Sequence, residues 1–190
     1  EQVLGCVRKI LPSPSASTIS LEVIENPPLR RRLREMIQKG LMLQRLDKTV
    51  NAEDLISKDY PQASIVLGAL LNRRSQSGSE LLSQYYDALA NPSNTDAFFK
   101  VGGWIDNNLQ GCLFHLYAGL PRRPNINYAG FDRFCVMADP NLRFFQALCH
   151  ATLSLAYKRQ SASEVSNHLQ VDVETQATAA KQVSDKLFQD

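Results

Sequence analysis

Apolar residues recur at three- and four-residue spacings along nearly the whole chain, and no segment sustains the alternation of a half-buried strand. That periodicity confines the chain to a mostly α fold, in which each amphipathic helix buries one stripe against its neighbours. Pro27 and Pro28, ahead of Leu29, Leu33, Met36 and Ile37, predict a helix that starts at the prolines and stops near Gly40. Asn51 is placed to cap a short helix carrying Ala52, Leu55 and Ile56. Pro61 opens a stripe of Ala63, Val66, Leu67, Leu70 and Leu71, and Ser79 opens another with Leu82, Tyr85, Tyr86 and Leu89. Trp104, Ile105, Leu109, Cys112, Leu113 and Leu116 mark a further amphipathic helix. From Asn141 the chain is apolar on almost every side, through Leu142, Phe144, Phe145, Leu148, Leu153, Leu155 and Tyr157. A helix of that kind is expected at the centre of the fold. Two stretches read differently: Ser17 to Ile24 as the one plausible strand, and Gly119 to Pro140 as an irregular crossover.

The sum of charges excludes several roles. Lys plus Arg number 21 and Asp plus Glu 19, so the formal charge of +2 marks neither a nucleic-acid binder nor a partner of anionic membranes. Charges or glycines interrupt the apolar runs before they reach the roughly 18 residues of a spanning helix, so no membrane partner is expected. No secretory signal opens the sequence. Cys6, Cys112, Cys135 and Cys149 stand far apart with no metal-ligand spacing, which predicts reduced structural thiols and a cytosolic or nuclear home, with cytoplasmic preferred and a two-disulfide secreted domain as the alternative. His115, His150 and His168 lack partners at i+4, and the first two fall in apolar helical patterns that predict core histidines. Neither a phosphate-binding glycine loop nor a nucleophile elbow occurs. The expectation is a non-catalytic chain with no cofactor, no metal and no small-molecule substrate.

Two basic segments stand out. Leu29-Arg30-Arg31-Arg32-Leu33-Arg34 reads either as a solvated helix face or as a contact for an acidic partner or a phosphate backbone. Arg122 and Arg123, held between Pro121 and Pro124, form a second, stiffer basic loop. Near the C-terminus, Ser161 and Glu164 have capping-box spacing ahead of Val165 and Leu169. Val171-Asp172-Val173 then makes a tight connection in which Asp172 can cap a last helix. Ala177, Ala180, Val183 and Leu187 give that helix a narrow apolar stripe, expected to pack partly on its own bundle and partly on a partner protein. Short helix, turn and longer helix is the plan of a helix-turn-helix. Its outer face, Glu174, Gln176, Thr178, Lys181, Gln182, Asp185 and Lys186, is neutral, which favours a packing module over a reader of DNA.

The stretch from Arg143 to Val183 resembles the end of a PCI domain, the helical-repeat and winged-helix module of the proteasome lid, the signalosome and translation initiation factor three, and the resemblance extends from Trp104 to Leu187. The similarity rests on Phe145-Gln146-Ala147-Leu148-Cys149-His150, Ala156-Tyr157-Lys158, Ser163-Glu164-Val165, Leu169-Gln170 and Val173-Glu174-Thr175. Cys112-Leu113-Phe114-His115-Leu116-Tyr117 and Leu148-Cys149-His150 are similar to stretches of the subunit k family of eukaryotic initiation factor three. The resemblance implies a superhelical stack of short antiparallel helices closed by a winged-helix-like helix-turn-helix. Its segments are 1–26 as an N-terminal segment and linker, 27–158 as a helical-repeat bundle and 159–190 as the helix-turn-helix. It further implies a scaffold subunit of a large cytosolic complex, in contact with other subunits and with the small ribosomal subunit. The alternatives are a small helical subunit of the proteasome lid or signalosome, or a nucleic-acid-binding helix-turn-helix protein.

Overall fold

The computed structural model of the chain describes residues 2–73, 76–93, 95–120, 124–160 and 170–187. These residues are mostly α-helical, with no strand among them. They form α1 (Gln2–Ile10), α2 (Ala16–Glu25), α3 (Pro27–Leu43), α4 (Pro61–Leu71), α5 (Gly78–Ala90), α6 (Trp104–Tyr117), α7 (Phe131–Ala138), α8 (Leu142–Gln160) and α9 (Val173–Leu187). Two 3-10 turns, Ala52–Leu55 and Ile126–Tyr128, complete the order. The chain divides into a continuous unit, Ala16–Ala118, and a discontinuous one built from Glu1–Ser15 and Gly119–Asp190. The segments 1–26 and 27–158 each span parts of both units, and 159–190 lies within the discontinuous one. Their boundaries follow local composition, whereas the first fifteen residues pack with the end of the chain.

In the continuous unit α4 is the centre. Ala63, Ile65, Val66, Leu67 and Leu71 are fully buried, and α2, α3, α5 and α6 all pack on this helix. Eleven residues without a charge leave α4 no face to offer water. Its approach to α3 is close because both helices present glycine: a Cβ at Gly68 would lie 2.7 Å from Met36 Cε, and one at Gly40 2.5 Å from Leu71 Cβ. The one buried hydroxyl of α4, on Ser64, lies 3.0 Å from the Tyr85 hydroxyl and accepts the Ser57 N–H at 2.9 Å. Tyr85 in turn donates to the Leu55 carbonyl at 2.8 Å. Burial pushes the Tyr85 phenol up to about 12, so it stays a donor. Helix starts follow the expected chemistry: Asn26 caps α3 by accepting the Leu29 N–H, and Asn51 caps the first 3-10 turn.

The discontinuous unit holds its own core of Leu11, Phe131, Phe134, Leu148, Ala156, Val171 and Ala180. Backbone bonds tie its distant pieces, with Phe131 N–H donating to Leu11 O at 3.0 Å and Val171 N–H to Ile10 O at 2.9 Å. Gln176, fully buried, clasps the same place: its amide donates to Pro12 O at 3.1 Å and Val171 O at 2.9 Å, and its carbonyl accepts Gly130 N–H at 2.8 Å. Gly130 has φ 104°, and a side chain there would collide with Ser13, so glycine is required.

Three expectations are corrected. Ser17 to Ile24 lies in α2, where Ile19, Val23 and Ile24 are buried at helical spacing. The stretch Gly119 to Pro140 contains the second 3-10 turn and α7. Finally, α8 is not the central helix. Leu148, Thr152 and Ala156 form one buried stripe, while Leu142 is 68% and Tyr157 76% exposed. Gln146 and His150, both exposed, place water on the opposite side. The mostly α class is borne out, while residues 161–169, with the capping box, Val165 and Leu169, lie outside the described residues. The contrast within α8 is measurable by urea unfolding. Leu148→Ala should cost about 2–5 kcal/mol, whereas Leu153→Ala, at a largely exposed site, should stay within about 0.5–1 kcal/mol.

Candidate functional site

Charge concentrates at the start of α3, and the structure divides its arginines into two kinds. Arg30 reaches across to Glu53 in the first 3-10 turn, donating through Nε at 3.0 Å and also through Nη2. Arg32 points the other way and donates to the carbonyls of Leu116, at 3.0 Å, and Ala118. Those carbonyls end α6, where the helix leaves acceptors unfilled and a cation is favoured. Arg30 and Arg32 therefore hold the continuous unit together. Arg31 and Arg34 are exposed and have no partner among the described residues. Arg122 and Arg123 lie outside the described residues.

Around the free pair the surface is concave. Pro27, Arg30, Arg31, Arg34, Asn51 and Glu53 line an open cleft of about 450 Å³. A second hollow, of about 430 Å³, continues along α3 from Arg34 past Gln38 and Lys39 to Met42. Met42 is 60% exposed, so an apolar side chain borders this end of the charged face.

The stripe on α9 lies differently. Ala177 and Ala180 are buried within their own unit, Val183 is partly buried against its core, and Leu187 is exposed. Of this stripe, Leu187 alone is exposed. Thr175, Gln176 and Ala179 are buried as well, so α9 sinks a broader face than its apolar residues suggest. Gln176 is thereby removed from the solvent face on which the sequence placed it. Asp172 caps α9 as its spacing predicts, accepting the Thr175 N–H at 2.7 Å and the Thr175 hydroxyl at 2.6 Å. Arg159 donates to the same hydroxyl. Desolvation alone would raise the Asp172 carboxyl, but the Thr175 bonds and the Arg159 charge outweigh it and hold the group below its ordinary value.

His115 and His150 are exposed rather than core residues, because each falls on the outer side of its helix. His168 lies outside the described residues. The four cysteines are free; burial pushes the Cys112 and Cys149 thiols up. Among the described residues no group of three or more His, Cys, Asp or Glu could hold a metal ion, and no helix is long and apolar enough to cross a membrane.

A family model described as ORC-CDC6-like matches residues 8–190. No curated protein and no solved structure matches the chain significantly. The family match overturns the PCI resemblance, and with it initiation factor three, the small ribosomal subunit, the proteasome lid and the signalosome as the setting of this chain. The physical reason is visible in the fold: Cys112 to Tyr117 lies in α6 and Leu148 to His150 in α8, which belong to different units. What looked like one module was helix-packing periodicity shared by many folds. A nucleic-acid-reading helix-turn-helix fares no better, since part of its outer face is buried.

The Asp172 cap gives a pH-dependent prediction. Its folded-state value is depressed, so its stabilisation is present above the ordinary carboxylate value and is lost as pH falls through the depressed one. Asp172→Ala should cost about 0.5–2 kcal/mol at neutral pH. In urea titrations the gap to the unmodified chain should narrow below a pH of about 4.

Proposed function

The chain belongs to the ORC-CDC6-like family, and from that premise we propose that it is a non-catalytic, helical interaction module of a multi-subunit assembly of replication-initiation type. The family match over residues 8–190 carries the reading. Support comes from how the side chains are used. Of the arginines at the head of α3, two are fixed internally and two face outward over a cleft, the pattern of a structural helix that also offers a contact. The exposed apolar residues Leu142, Leu153 and Tyr157 on α8 add surface to the other unit. In this reading the helices supply surface and position, and any nucleotide chemistry of the assembly belongs elsewhere in it. α9 serves packing, with Ala177 and Ala180 buried in its own unit. Four unpaired cysteines fit a reducing, cytoplasmic setting.

Affinity purification of the tagged protein from its own cells tests the reading. Other subunits of a replication-initiation-type assembly should co-elute in fixed ratio, and the purified chain should hydrolyse no ATP. Elution as a lone monomer, or with ribosomal proteins, would count against it.

A further inference from the structure

Arg31 and Arg34 have no partner among the described residues. Both stand in the second and third turns of α3, and the first turn carries no acidic residue to pair with them. The backbone donors at this end are already settled: Pro27 and Pro28 have none, Leu29 N–H is taken by Asn26 Oδ1 and Arg30 N–H by Asn26 O. What projects over the cleft is a pair of guanidinium groups on a rigid helix. The cleft wall also shows the chemistry it accepts, because Glu53 already holds a carboxylate against Arg30.

We propose that this cleft docks an acidic segment of a partner protein, with Asp or Glu carboxylates of that segment bound by Arg31 and Arg34. The proposal rests on the reading of the chain as an interaction module and names one surface of it. The spacing fits. Residues three apart on a helix carry Cβ atoms about 5–6 Å apart, and alternate side chains of an extended strand stand about 7 Å apart on one face. Guanidinium groups take planar carboxylates through paired hydrogen bonds. Phosphate backbones fit less well. They are gripped by a track of many cations, whereas here two free arginines stand between the Arg30–Glu53 pair and Glu35 with Lys39. Pro27 and the exposed Met42 give a peptide apolar contacts beside the charges.

Fluorescence anisotropy with the full chain tests this. The probes are a short labelled peptide of alternating Glu and Leu, its Gln counterpart, and a short DNA duplex. The Glu peptide should bind and the Gln peptide should not. The double variant R31E/R34E should weaken Glu-peptide binding by about tenfold or more, while its circular dichroism and melting temperature stay unchanged. R31Q/R34Q should give an intermediate loss. K48E/K58E, an equal charge change at exposed sites of the same unit, should shift binding by less than about twofold. Equal binding by R31E/R34E and the unmodified chain would overturn the proposal, as would tighter binding of the duplex through the same two arginines. If the peptide result fails while co-purification of the assembly succeeds, this cleft is wrong and the module reading stands; the converse pattern separates them the other way.

Discussion

The discontinuous unit depends on one buried amide. Gln176 satisfies three backbone groups contributed by Pro12, Gly130 and Val171, and two backbone bonds flank it. The bonds to Gly130 and Val171 are buried and the one to Pro12 partly so, and a buried group that loses its partner costs about 1–3 kcal/mol. The segments joined here are separated by most of the chain. Closing so long a loop is entropically tolerable because the cost grows only logarithmically with length, and because Ala16–Ala118 builds a core of its own. The glycine at 130 belongs to the same device, since only a residue without a side chain fits against Ser13.

What could be read from the sequence was what local chemistry decides. Proline at 27 and 61, asparagine at 51 and aspartate at 172 act within three or four residues, and the helices begin where those residues place them. Which helix sits at the centre is decided elsewhere. Length and apolar count favour α8, but a polar side chain at almost every fourth position of its outer row keeps that side wet. The shorter α4, with no charge at all, is surrounded. The apolar run of α2 contains β-branched residues that suit a strand, and its burial against α3, α4 and α6 overrides that preference.

The charged run shows the same limit. Four arginines within five residues look alike in sequence, yet Arg30 finds its partner 23 residues away and Arg32 finds its own 84 and 86 away. Only tertiary structure separates the two that stabilise from the two that are free. Gln176 is the counterpart in the other unit, a polar residue that reads as surface and proves to be buried with three backbone partners. Family membership was equally hidden, because spacing of apolar residues describes helix packing and carries no signature of one family.

The central claim is that Gln176 clasps the ends of the discontinuous unit while the continuous unit stands on its own core. Amide hydrogen exchange on the full chain and on Gln176→Leu tests it directly. The account predicts faster exchange at Gly130, Phe131 and Val171 and along α9 in the variant, with α3 and α4 unchanged. Undiminished protection at Phe131 and Val171, or an equal loss across α4, would contradict it.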